Sequence, residues 1–243
     1  MDEQKKSYER KKKLEEEAVA IAAQKYDYFL ETVLLLVASG LSKEEKLAKL
    51  SEQVEKLKVF NRTFSDKFTN KAYKMFSEET LLLIGAKKKI TAAQKKEIQN
   101  LQAQLESDLN RRLAIYEENA KKLILKEELK ALRELEFGFK EGGKISKKDL
   151  LFYDSRGRVV KNKTIMAITV GDSIWNAIFV SVATSAVING VKKGIHVSVL
   201  DDRTTQICIE LDGEIRDLQK DQLPPMHINC RSDIILLINK SKK

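Results

Sequence analysis

Both prolines of this chain stand side by side, at positions 224 and 225 of 243. Proline breaks helices more reliably than any other residue, because it lacks the backbone N–H and its ring clashes with the preceding turn. The long stretch upstream is therefore free to run as helix. With only ten glycines in addition, the composition argues against a loop-rich all-β protein. A hydrophobic share of 42% suffices for a buried core, and the charged share of 33% exceeds the soluble average of about 25%.

Residues 1–139 predict three long helices. The first runs from about Gln4 to Ser39, its apolar residues thickening toward Tyr28–Val37, and Gly40 supplies a C-terminal stop. Ser42-Lys43-Glu44-Glu45 is a capping box, in which the Ser42 hydroxyl and the Glu45 carboxylate each satisfy a free backbone N–H. The second helix continues through Leu47, Leu50, Val54, Leu57 and Phe60, with a break or bend expected around Asn61–Ser65, and ends near Leu83–Gly85. Thr91-Ala92-Ala93-Gln94 opens a third. There Ile98, Leu101, Leu105, Leu109, Leu113, Tyr116, Ala120 and Leu123 recur every three or four residues, the stripe of a helix buried along one face. Two arrangements satisfy that stripe: a helical hairpin packed on itself, or coiled-coil arms through which the chain self-associates.

Composition changes at Phe137–Lys144, which divides the chain into a helical region, 1–139, and a compact domain, 140–243. In the second part, Leu150–Tyr153 and Arg158–Val160 flank the turn sequence Asp154-Ser155-Arg156-Gly157. A helix is expected from about Thr164 to Asn189 with Trp175 as a core anchor. Strands are expected at His196–Val199, Ile207–Leu211 and Ile234–Ile238. The fold class is α+β: long N-terminal helices followed by a compact α+β domain with a Cys/His knuckle.

Residues 173–191 carry no charge over a length near that of a bilayer span. The polar Ser173, Asn176, Ser181, Thr184, Ser185 and Asn189 favour a buried helix instead, so a membrane is not an expected partner. The N-terminus, Met1-Asp2-Glu3-Gln4-Lys5-Lys6, is charged where a secretory segment would turn apolar. With only two cysteines, the expectation is a protein made and kept in a reducing cytoplasm, its cysteines thiols or metal ligands. The net charge of +9 is spread along the chain. It reflects either a lysine-rich solvated surface or contact with a polyanion such as double-stranded DNA. Lys11, Lys12 and Lys13 in one basic run, and Lys87, Lys88 and Lys89 in another, are the candidate phosphate contacts, with Lys121 and Lys122 a third cluster.

Chemically distinctive residues concentrate in Leu200–Ser232, which holds both cysteines and one of the two histidines. Cys208, His227 and Cys230 are zinc-type ligands, and His227-Ile228-Asn229-Cys230 has the spacing of a close ligand pair. Opposite it, Thr205-Gln206-Ile207-Cys208 offers one cysteine where a second pair would have two, so the knuckle is incomplete. The leading expectation is a motif held by packing and hydrogen bonds without a cofactor, with zinc as the alternative. Around the ligands, Asp202, Arg203 and Thr204, the turn Asp212-Gly213, Pro225 and Arg231 have structural roles in the same motif. Arg203 is suited to bidentate pairing with a carboxylate. A structural knuckle explains these residue types without catalysis.

In this order, Asp201-Asp202-Arg203-Thr204, then Cys208, then Asp212-Gly213, then Pro224-Pro225-Met226-His227-Ile228-Asn229-Cys230-Arg231 resembles the phage head-morphogenesis, or Mu F-like minor head protein, domain. The resemblance covers roughly residues 145–238. In that pattern further cysteines stand where this chain has Thr205 and Ser232. The resemblance implies a minor structural protein of a tailed-phage or prophage head. Such a protein would associate with the portal protein and capsid interior, with DNA as a further partner during assembly or genome delivery. It would reside in the virion, at the head interior or portal region, after assembly in the host cytoplasm. The family fold has also been likened to ADP-ribosyltransferases. That implies, as the alternative, an enzyme or toxin using NAD, with Arg203, His196 and Glu210 as the residues available for such roles.

Overall fold

A computed structural model describes residues 2–86, 91–137, 152–153, 159–200, 204–227, 230 and 232–238. It is an α+β protein, predominantly helical, with a small C-terminal sheet. Three long helices come first: α1 (Asp2–Val37), α2 (Lys43–Leu83) and α3 (Ala92–Phe137). The two capping boxes form as the sequence predicts. Ser42 N donates to Glu45 Oε2 at 2.9 Å while Glu45 N donates to Ser42 Oγ at 3.2 Å. Thr91 and Gln94 exchange the same pair of bonds at 2.8 and 3.2 Å.

The short strands β1 (Phe152–Tyr153) and β2 (Val159–Val160) pair antiparallel; the turn expected at 154–157 lies outside the described residues. After α4 (Asn162–Met166), a π-helical turn over Ala167–Gly171 leads into α5 (Asp172–Ile188). Then come β3 (Lys193–Val197), α6 (Gln206–Leu211), β4 (Ile215–Asp217) and β5 (Asp233–Leu236). The three strands form an antiparallel sheet in the order β4-β3-β5.

The compact units cut across the boundary expected at 139/140. One comprises residues 20–64 and 106–166, the other residues 1–19, 65–105 and 167–243. The reason is that the long helices carry packing surfaces for later parts of the chain as well as for one another.

In the unit formed by 20–64 and 106–166, apolar stripes close around a buried polar network. Tyr26 OH donates to the carbonyl of Leu109 at 2.8 Å and to Asn61 Oδ1 at 3.3 Å, and Asn61 Nδ2 donates to Asn110 Oδ1 at 2.8 Å. Tyr116 OH donates to Asn162 Oδ1, and Asn162 Nδ2 donates to Asp27 Oδ1 at 3.0 Å. Burial pushes both phenols, Tyr26 and Tyr116, upward in pKa. The break expected at Asn61–Ser65 does not occur: α2 is continuous. Asn61 and Ser65 are buried, and the Asn61 amide bonds Tyr26 and Asn110 rather than competing for its own backbone. The α3 stripe is buried within the chain at Leu109, Leu113, Tyr116, Ala120 and Leu123, the self-packed arrangement of the two envisaged.

In the other unit, α5 is the central helix. Ile174, Trp175, Ala177, Ile178 and Phe179 are buried. Trp175 Nε1 donates to Glu15 Oε2 at 2.8 Å, its ring stacks on Phe179 at 5.6 Å, and Tyr8 lies 5.8 Å away. Burial raises the Glu15 carboxyl above its ordinary range, a shift that the Trp175 hydrogen bond opposes. Gly171, the last residue of the π turn, gives Glu15 its room, because a β-carbon there would stand 2.8 Å from Glu15 Oε1. The segment Asn162–Ile188 is long and apolar enough to cross a membrane, and 67% of its apolar window is buried within the protein. That is the setting of a core helix.

Candidate metal centre

Three elements bring the chemistry together. β3 is the middle strand, and its continuation reaches Ser198, whose backbone N–H donates to Asp212 Oδ1 at 2.7 Å. Asp212 follows α6. Gly213, with φ of +81°, turns the chain through the left-handed region that glycine enters without a steric penalty. Its N–H donates to the His196 carbonyl at 2.8 Å, and His196 N–H donates to the Glu214 carbonyl at 2.9 Å. The Asp212-Gly213 pair of the motif is thus the stitch that holds α6 against β3 and β4. Thr204 Oγ1 donates to the Val199 carbonyl at 2.5 Å, which fixes the chain entering α6.

Stitched in this way, α6 points one side chain inward. Cys208 is buried, whereas Ile207 and Ile209 are exposed. Here the structure corrects the strand expected at Ile207–Leu211: the segment is one helical turn and a half, anchored by the Cys208 and Ile209 amides on the Thr205 carbonyl at 3.0 and 3.1 Å. The apolar alternation that suggested a strand is set aside because only position 208 meets the interior.

Opposite Cys208, the chain passes Pro225 and turns back at His227, where the Cys230 N–H donates to the His227 carbonyl at 3.1 Å. Cys208 Sγ lies 3.0 Å from His227 Nε2 and 3.7 Å from Cys230 Sγ. Both cysteines are free thiols and buried. All three donor atoms fall within 4.8 Å of one another, so this group can hold a metal ion. Zinc with sulfur ligands at its usual distance of about 2.3 Å, in a tetrahedron, would set two sulfurs about 3.8 Å apart and sulfur and imidazole nitrogen about 3.6 Å apart. The sulfur pair already has that spacing, and the Cys208–His227 edge needs to open by about half an ångström. Two soft donors and an imidazole, drawn from two chain segments, mostly buried and all within 4.8 Å, could hold such an ion once the edges even out.

Two hydroxyls complete the cluster. Ser232 Oγ donates to Cys208 Sγ at 3.2 Å and lies 3.0 Å from Ser198 Oγ, which in turn donates to the Cys208 carbonyl at 2.8 Å. Hydrogen bonds of this outer kind orient a ligand and stabilise negative charge on its sulfur. Ser232, 1% exposed, is therefore a hydrogen-bond donor to the cluster. Thr205 is exposed at the start of α6. The contribution of Ser198 was missed in the sequence; its one signal is a small hydroxyl residue inside the apolar run Val197–Leu200.

The remaining candidates divide. Asp202, Arg203, Arg231 and Lys87–Lys89 lie outside the described residues. Lys11 is buried, and its ammonium donates to both carboxylate oxygens of Asp233, at 2.6 and 2.7 Å, which leaves it less available to a phosphate than its neighbours. Lys12 and Lys13 are exposed, with Lys12 3.8 Å from Glu16. His196 is fully buried on β3, and neither ring nitrogen has a hydrogen-bond partner among the described residues. Burial pushes its pKa down, and the nearby Arg216 guanidinium adds to the shift. Glu210 is exposed and accepts a hydrogen bond from Gln206 at 2.9 Å. No family model, no curated protein and no solved structure matches this chain.

Proposed function

We propose that this chain is a minor head protein of a tailed phage or a related prophage element, an interaction protein whose C-terminal motif is stapled by a zinc ion. The observation that carries the reading is the convergence of Cys208, His227 and Cys230 within 4.8 Å, in the order and with the intervening Asp212-Gly213 and Pro225 of the motif it resembles. When bound, zinc would supply a crosslink between α6 and the chain leading into β5, with Cys208, Cys230 and His227 as ligands and Ser232 supporting Cys208. The long helices present surface for the portal protein and capsid interior. Exposed lysines such as Lys12 and Lys13 are available to DNA. Compared with this, an NAD-using enzyme draws little support: the buried His196 ring has no hydrogen-bond partner among the described residues, and Glu210 faces solvent on another element.

Two experiments test the proposal. Quantitative mass spectrometry of nuclease-treated, gradient-purified particles should find the chain at a few copies per portal ring; absence from particles refutes the virion assignment. Metal analysis of protein purified without chelator should find one zinc per chain, lost in Cys208→Ser and Cys230→Ser. A metal-free wild type refutes the staple.

A further inference from the structure

The same two sulfurs that suit a metal ion also suit each other. Cys208 Sγ and Cys230 Sγ approach to 3.7 Å, and a disulfide bond is about 2.05 Å long. Closing the gap requires each sulfur to move by less than about 1 Å, a side-chain adjustment. Both cysteines are buried, 2% and 4% exposed, and they are the chain's two cysteines, so the thiol within reach of each is the other. α6 is tied to β3 by the Gly213 N–H bond to the His196 carbonyl, and the turn after Pro225 is closed on itself by the Cys230 N–H bond to the His227 carbonyl. The two sulfurs therefore start as neighbours in the folded chain.

We infer that Cys208 and Cys230 form an intramolecular disulfide under mild oxidation, and that this bond and a bound metal ion are mutually exclusive states of one cluster. The oxidant is a peroxide, a small molecule, and His227 beside Cys208 is only half-buried. One thiol attacks a peroxide oxygen, becoming a sulfenic acid and releasing water. The second thiol then displaces the hydroxyl as a second water, forming the S–S bond. Two thiol protons and two electrons leave the protein, and hydrogen peroxide is reduced to two waters. A metal ion engages the same sulfur electron pairs, so metal loading protects the thiols and oxidation expels the metal. The inference rests on the sulfur geometry alone and stands apart from the assignment to a phage head.

The test uses the full-length chain, folded, in chelator-treated and zinc-supplemented forms, with one equivalent of hydrogen peroxide followed by acid quench and a non-reducing tryptic map. Trypsin yields residues 204–216 and 221–231 as separate peptides, each with one cysteine. The expected result is the two peptides joined, two hydrogens lighter than their sum, within a single chain when isotopically heavy and light protein are mixed. Recovery of the peptides as unreacted thiols, as sulfinic or sulfonic acids, or joined between heavy and light chains overturns the inference. So does a bond that forms only in urea. In the zinc-supplemented form, bond formation should slow at least tenfold and release zinc as it proceeds. Should the protein bind no zinc, that failure counts against the metal staple, while the chelator-treated arm still decides the disulfide.

Discussion

The buried pair between Lys11 and Asp233 makes an asymmetric prediction. Lys11 sits at 6% side-chain exposure and Asp233 at 26%. The ammonium donates to both carboxylate oxygens at 2.6 and 2.7 Å and lies 5.4 Å from the centre of the Phe179 ring. Removing one member of a buried pair strands the other, at about 3–5 kcal/mol. Asp233→Asn strands the more deeply buried charge but keeps one oxygen as acceptor, which places the loss near the lower end, about 3 kcal/mol. Lys11→Met keeps the apolar stem against Phe179. It leaves a carboxylate that is partly hydrated and still accepts from Ile234 N–H, so about 1–2 kcal/mol is expected. The double variant Lys11→Met/Asp233→Leu removes both charges and should return to within about 1 kcal/mol of wild type. At about 2–4 °C per kcal/mol for a chain of this size, Asp233→Asn should melt about 6–12 °C below wild type. Urea unfolding and thermal melts of these proteins give the losses, and Lys11→Met/Asp233→Asn, which combines the two single variants, completes the double-mutant cycle. A Lys11→Met loss equal to or larger than that of Asp233→Asn refutes the burial argument. A coupling energy below about 0.5 kcal/mol would show that the two charges contribute independently and refute the pairing argument.

Further perturbations test other parts of the structure. Tyr26→Phe removes the donor to the Leu109 carbonyl and should cost about 1–2 kcal/mol, read as a lower urea midpoint. Gly194→Ala places a β-carbon 2.5 Å from Ile234 Cγ2; a loss of about 2 kcal/mol with faster amide exchange along β3 and β5 is expected, and unchanged exchange contradicts the close approach. His196 has a depressed folded pKa, caused first by burial and then by Arg216, with Asp212, Glu214 and Asp233 opposing. The unfolded chain therefore takes up its proton first. Stability from this group is complete above the unfolded pKa of about 6.5 and is lost as pH falls toward the folded value, with a slope of at most about 1.4 kcal/mol per pH unit. His196→Leu should flatten that part of the pH profile; an unchanged slope means that other groups carry it.

Long-range partners explain which features the sequence revealed. The helices and both capping boxes were legible because their signals lie within four residues of one another. Lys11 was also legible in part. It precedes Leu14 by three positions and Ala18 by seven, which puts it on the inward stripe, yet its basic neighbours hid that position. Asp233 could not be found, since nothing local ties residue 233 to residue 11. Asn61 and Ser65 read as a helix break because their buried neighbours are distant in sequence. Ile207–Leu211 misled for a different reason: five residues are too few to separate a period of two from one of 3.6. The strand Ile215–Asp217 was overlooked because two of its three residues are charged, and its pairing with β3 specifies it. At the metal centre, residue chemistry named all three donors; the hydroxyls of Ser198 and Ser232 required the fold.

The position of α5 in the chain has a consequence for biosynthesis. A ribosome delivers the chain from its N-terminus, and domains generally fold in that order. Of the side chains that engage α5, Tyr8, Lys11 and Glu15 come from α1, and Glu97, which accepts a hydrogen bond from Thr184 at 2.6 Å, comes from α3. All are synthesised before Asp172. The segment most able to be mistaken for a membrane span thus emerges last among these partners, into a surface already waiting for it. Moving residues 162–188 to the front of the chain would keep every native contact available and remove that protection, exposing a bare apolar helix to the membrane-insertion machinery.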